Sequence, residues 1–214
     1  MLRIFILIIS IFSFITANAQ TLPKIEREFR AVWIATVDNI DFPSKKTLTI
    51  NEQKAEIIKD LELVKSLRMN AVIFQVRPMC DALYESKIEP WSEFLTGKMG
   101  KSQAFDPLKF ITQEAHKRGI LVHAWFNPYR AYHPAAKTVS ENHISKRRPD
   151  LVRKYGKYLW LDPSDAEVQA YSLSVVLDVV KRYEIDGVHF DDYFYPYAEN
   201  DENGKKIKFP DDKN

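Results

Sequence analysis

Four strand-like apolar runs alternate with helical patterns between residues 30 and 191, and the links between them are asymmetric. The alternation predicts an α/β fold with a parallel sheet. The asymmetry, short from helix to strand and long from strand to helix, predicts a (β/α)8 barrel of which this chain holds the N-terminal half, strands one to four. The short links are Met69-Asn70, Gly119 and Glu184-Ile185; the long ones are Pro78–Phe105 and Asn127–Pro163. Short αβ loops close the stable end of a barrel, and long βα loops build a site at the other.

The first strand is Arg30–Val37, a run of apolar and β-branched residues. A helix follows from about Asn51 to Arg68, with Ile57, Leu61, Val64 and Leu67 at helical spacing. Thr49 and Glu52 form a capping box at its start. The second strand is Ala71–Arg77. Asp106 caps a second helix, Pro107 opens it and Gly119 ends it. The third strand, Ile120–Phe126, follows at once. Ser164 and Glu167 mark another capping box, and the helix behind it runs to about Tyr183. The fourth strand, Ile185–Asp191, leads into Asp192 and Tyr193. A doubly wound open sheet is the rival fold. Its usual phosphate loop is missing, because no strand is followed by G-x-G-x-x-G or a Walker sequence.

Met1–Ala19 has one basic residue, an apolar run from Ile4 to Ile15 and the small-x-small end Ala17-Asn18-Ala19. It is read as a secretory signal peptide, too short in its apolar run for a membrane span, and it implies export to a bacterial periplasm or the exterior. Residues 20–27 are a linker and residues 28–214 the barrel portion. Arg3 is the leader's one basic residue, so its removal lowers the 31 Lys and Arg by one, against 29 Asp and Glu. A near-neutral chain argues against a nucleic-acid partner. The single Cys80 forms no internal disulfide.

Side chains alternate faces along a strand, so Gly187, His189 and Asp191 share one wall and Asp186, Val188 and Phe190 the other. The remaining strand ends also carry polar and aromatic residues. Asp38, Asn39 and Asp41 follow strand one. Gln75 and Arg77 end strand two, with Asp81 and Tyr84 in its loop. His123 and Trp125 end strand three, followed by Asn127, Tyr129 and Arg130. Sugars need both kinds of residue: polar groups for hydroxyls, and rings for the C–H faces. Acetal cleavage needs a carboxylate beside an oxocarbenium-like centre and a second carboxyl to protonate the leaving oxygen. Asp191 fits the first role; no residue on these strands is an obvious donor. Simpler readings stand beside these. Gln75 and Arg77 fit a polar barrel layer, Arg77 fits a structural partner for Asp81 or Asp191, and Trp125 fits the core. The His spacing and lone Cys argue against zinc, and no cofactor is expected. Asp191-Asp192 as a hard-cation site is a minor alternative.

The strings Phe29–Val37, Phe74–Pro78, Asp81–Tyr84, Pro90–Ser92, Glu114–Gly119, His123–Arg130 and Asp186–Pro196 resemble, in order, the glycosyl hydrolase-like 10 family, first catalogued as a domain of unknown function in secreted bacterial proteins. The resemblance implies a TIM-barrel glycoside hydrolase with members linked to bacterial cell-wall glycan. The fourth-strand string is also similar to the D-G-x-R-x-D signature of α-amylase-like barrels, whose last Asp, the nucleophile, falls on Asp191. His189 stands where that signature has Arg, and a neutral imidazole does not hold a carboxylate as a guanidinium does.

The expectation is a secreted glycoside hydrolase acting on a polymeric glycan, peptidoglycan sugar strands first among them. Asp191 is its nucleophile or base and Asp192 the neighbour that perturbs it. Gln75, Arg77, Asp81, Tyr84, His123, Asn127, Arg130 and His189 contact the sugar, while Trp91, Trp125, Tyr129 and Tyr193 offer stacking surfaces. The acid is expected on a later strand. The alternative is a catalytically silent barrel that binds cell-wall glycan as an adaptor. A deacetylase-like barrel is disfavoured by the missing metal spacing.

Overall fold

A computed structural model describes residues 28–192 and 194–209. The signal-peptide and linker readings, and Tyr193, lie outside the described residues. The strands are β1 (Ala31–Ile34), β2 (Ala71–Arg77), β3 (Leu121–Phe126), β4 (Arg130–Tyr132), β5 (Val152–Tyr155), β6 (Tyr158–Leu161) and β7 (Gly187–Phe190). The main helices are α1 (Ile50–Ser66), α2 (Pro107–His116) and α3 (Ala166–Arg182). β1, β2, β3 and β7, the four strands read from the sequence, form a parallel sheet in that order.

The helix starts follow local chemistry. The Thr49 hydroxyl accepts from Glu52 N while Thr49 N donates to the Glu52 carboxylate at 2.7 Å, the expected capping box. Asp106 accepts from Lys109 N at 2.9 Å, with Pro107 at the first helical position. At α3 the structure corrects the sequence reading, since the cap is Asp165, which accepts from Glu167 N and Val168 N. A carboxylate complements the positive helix end better than a hydroxyl does. Ser164 turns instead to Asp162, and Glu167 pairs with Arg148.

All three helices pack on one face of the sheet. Ile57, Leu61 and Val64 of α1, Leu108, Ile111 and Ala115 of α2, and Val175 and Val179 of α3 join one cluster with Val72, Phe74, Val76, Val122, Ala124 and Phe126. Each large apolar side chain buried there contributes roughly 1.5–3 kcal/mol. A doubly wound sheet carries helices on both faces; among the described residues this sheet carries its main helices on one. Its other face carries the ring contacts Trp33–Trp125, Trp33–His189 and Phe29–His123, and Trp33 is 54% exposed. Asp186 pins the base of β7, accepting from Val122 N and lying 2.8 Å from His116 Nε2.

Two segments differ from the sequence reading. β1 ends at Ile34, because Val37–Asn39 form a 3-10 turn with Asp38 and Asn39 both at φ 55°. The long third link contains its own antiparallel sheet, in the order β4-β6-β5. Its strands are three or four residues each, too short for a periodicity to register.

Close packing also explains one glycine. A Cβ on Gly187 would lie 2.7–2.8 Å from three atoms of the His123 ring. Gly187→Ala is therefore expected to push His123 off its wall position and cost about 1–3 kcal/mol. A urea midpoint and the His123 ring signals in NMR check this; unchanged ring signals would refute it.

Candidate functional site

At the C-terminal ends of the strands a cleft of about 240 Å³ is lined by Gln75, Trp125, Arg130, Asp191, Asp192 and Tyr197, together with Ala35, Val37 and Ile40. β7 delivers Asp191 one residue past its last paired position, Phe190. Asp191 is half-buried and Asp192 exposed. The Tyr197 hydroxyl donates to Asp192 Oδ2 at 3.1 Å, a contact that the sequence reading did not contain.

The floor of the cleft comes from β2 and β3, whose residues Gln75 and Trp125 stand side by side in register. Gln75 is fully buried, and its Oε1 accepts from Thr36 N at 2.8 Å and Val37 N at 2.9 Å. One amide thus holds the curl of chain that follows β1. His189 is Trp125's partner on β7, and their rings meet edge-on at 6.3 Å. Burial lowers the His189 pKa, the nearby Asp191 opposes this and His123 adds to it, so the imidazole is neutral at pH 7. His123 lies one layer deeper, against Phe29 and Gly187.

Several expected contact residues lie elsewhere. Strict alternation would put Arg77 on the cleft face with Gln75. A register shift between the two makes Arg77 the partner of Phe126 and turns its side chain into the protein. Arg77 is 1% exposed and grips Glu89, with Nε at 3.0 and 2.8 Å from the two carboxylate oxygens and Nη2 at 2.6 Å from Oε1. It also donates to Asn127 O at 2.9 Å. Its partner is thus Glu89, not Asp81 or Asp191 as the alternative reading had it. Asn127 is fully buried, and its Oδ1 accepts from Arg130 N. Arg130 itself reaches the cleft, with Nε bonded to Pro78 O. Glu89, Arg77 and Asn127 therefore form a buried chain ending on a cleft residue. Glu89 has no periodic or motif signal, and so escaped sequence reading.

Asp81 and Tyr84 are fully buried, Tyr84 edge-on to Tyr183. Trp91 packs on the main core and bridges to Ala82. Tyr129 meets Phe194 in a groove that Phe190 of β7 also lines. In this arrangement Arg77 and Asn127 support the turn that carries Arg130, and Asp81, Tyr84, Trp91 and Tyr129 lie outside the cleft lining. Among the described residues no group of three or more His, Cys, Asp or Glu is placed to hold a metal ion, and no helix is long and apolar enough to cross a membrane.

Asp81 has a pH consequence. Burial pushes its carboxyl up to about 7, against the lowering effect of the Ser92 hydroxyl and the Met79 amide. A carboxyl whose pKa is higher folded than unfolded favours the fold below its ordinary value of 3.8, and that contribution is lost as pH rises through about 7. Wild-type stability should therefore fall across that window by an order of a few kcal/mol more than that of Asp81→Asn. Urea unfolding at pH 4 and pH 8 tests this, and parallel pH profiles would refute it.

The described residues thus form a parallel α/β sheet with helices packed on one face and a carboxylate-bearing cleft at its strand ends. The chain belongs to the glycosyl hydrolase-like 10 family, whose model matches residues 28–209. It is 50% identical over 183 residues to glycosyl hydrolase YngK of Bacillus subtilis (strain 168), covering 85% of this chain and 35% of that protein. It is 41% identical over 192 residues to glycosyl hydrolase DigH of Escherichia coli (strain K12), covering 82% of this chain and 44% of that protein. The chain thus spans less than half the length of these curated relatives. Among solved structures, the α-galactosidase from Lactobacillus brevis superposes with a TM-score of 0.49 at 15% identity, over 78% of this chain and 20% of that one. At that level it adds nothing to the assignment.

Proposed function

We propose that the chain supplies the first four strands of a (β/α)8 glycoside hydrolase that cleaves a polymeric glycan, with bacterial peptidoglycan sugar strands as the first substrate to test. The observation that carries this reading is Asp191, a half-buried carboxylate at the end of β7, opening into a cleft walled by Gln75, Trp125 and Arg130. A carboxylate there can act as nucleophile or base toward an anomeric carbon. Barrel closure by further βα units is supported by the edges of β1 and β7, which have no strand partner among the described residues, and by the exposed ring-lined inner face. Those units would bring the acid that protonates the leaving oxygen. Export through a cleaved leader at Met1–Ala19 completes the proposal.

The cleft's carboxyls among the described residues are Asp191 and its chain neighbour Asp192. That observation favours a second reading, a silent barrel that binds glycan as an adaptor. Incubating the full protein with purified glycan strands and measuring new reducing ends separates the two. Release of reducing ends supports the hydrolase; binding without release supports the adaptor.

A further inference from the structure

The links that follow β1, β2 and β3 meet at one side chain. Glu93 sits in the second of them and is 1% exposed. Its Oε1 accepts from Lys46 Nζ of the first link at 2.6 Å. Its Oε2 accepts from Lys137 N at 2.8 Å, Thr138 N at 2.6 Å and Thr138 Oγ1 at 2.7 Å, all in the third link. The Thr138 hydroxyl in turn accepts from Met99 N at 2.8 Å, so its own proton is committed to Glu93. Lys46 Nζ also donates to Ala135 O at 3.3 Å, a second tie between the first link and the third. Burial raises the Glu93 pKa, but Lys46, Thr138 and the Lys137 and Thr138 amides outweigh it and hold the carboxyl below its ordinary value of 4.5. The group is therefore charged at pH 7, and its hydrogen bonds are of the stronger, charge-assisted kind.

An apolar cluster closes on the same place. Val37 from the first link, Met79, Phe94 and Met99 from the second and Ala136 from the third are buried together. The connection reaches the cleft on two sides. Asn39 Nδ2 donates to Phe94 O at 2.9 Å and to Pro43 O at 2.7 Å, which ties the Val37–Asn39 turn to the residue after Glu93. The Tyr132 hydroxyl donates to Ala136 O at 2.7 Å, which ties the strand that starts at Arg130 to the segment that Glu93 holds. Val37 and Arg130 both line the Asp191 cleft.

We propose that Glu93 is a positioning residue that clamps the three links into one rim, so that the Val37 and Arg130 walls of the cleft are set together and before any ligand enters. A carboxylate can only accept, and its donors come from segments more than forty residues away in either direction. Long links without such a clamp would open independently of one another. The inference does not depend on what the cleft binds.

The test is native-state hydrogen exchange of the full chain, read segment by segment. Glu93→Ala is expected to speed exchange about tenfold or more in residues 37–48 and 130–139 together, while α1, α2 and α3 keep their protection. Glu93→Gln keeps an oxygen for Lys137 and Thr138 but turns an NH2 toward Lys46, so it should free residues 44–48 more than residues 136–139. Lys46→Met should free the same first-link residues, and Lys46→Arg, which restores the cation, should protect them better than Lys46→Met. The Lys46 side chain is 27% exposed, so its variants carry the test if Glu93→Ala fails to fold. Loosening confined to residues 136–139 in Glu93→Ala would overturn the proposal, as would loosening spread evenly over the three main helices. Wild-type exchange in Lys46→Met, or equal exchange in Lys46→Met and Lys46→Arg, would overturn it as well.

Discussion

Asp191→Asn in the full protein is expected to lower the rate of glycan hydrolysis by about 10³-fold or more while leaving glycan affinity nearly unchanged. The amide keeps the shape and the hydrogen-bonding oxygen of the carboxylate. It loses the charge that stabilises an oxocarbenium-like centre and the lone pair that attacks it or activates water. Asp192→Asn should act more weakly, because Asp192 is exposed and accepts from Tyr197. Reducing-end release and a glycan pull-down on the same preparations separate chemistry from binding. If Asp191→Asn stays within about tenfold of wild type, Asp191 is not the group that performs the reaction.

The largest stability effect is expected at the buried ion pair. Arg77→Met leaves the Glu89 carboxylate buried, with the Tyr171 hydroxyl donating to it at 2.7 Å and no cation beside it. Removing one partner of such a pair costs about 3–5 kcal/mol. The variant also frees the Asn127 carbonyl, which Arg77 holds, and so loosens the turn that carries Arg130. Arg77→Met with Glu89→Leu removes both charges and should recover most of the loss. Urea denaturation of the two variants checks this. A double variant as unstable as the single one would show that packing, and not the stranded charge, sets the cost.

The two results would divide the strand-two and strand-four residues by role. Asp191 would act on substrate, whereas Arg77 would act through Asn127 and Arg130. The sequence reading placed both in contact with sugar. The distinction turns on a single register shift between Gln75 and Arg77. No residue type announces that shift, since Gln75-Val76-Arg77 alternates as cleanly as any strand. The same limit explains Tyr84 and Trp91. Aromatic residues in a long loop suit sugar stacking and core packing equally well, and only burial separates the two.

By itself the sequence determined the four parallel strands, the three main helices, two of the three caps and the family, because these depend on local periodicity, capping chemistry and an ordered set of strings. It also placed Asp191, Gln75, Trp125 and Arg130 at strand ends, where a barrel-type sheet builds its cleft. The tertiary structure decided which neighbouring polar groups face the cleft and which are buried. It alone joined Arg77 to Glu89, twelve residues on, and laid Thr36 and Val37 across the amide of Gln75. The physical reason is range. A helix cap is settled within four residues, whereas the direction of a side chain at a strand end is settled by partners that only the folded sheet brings together.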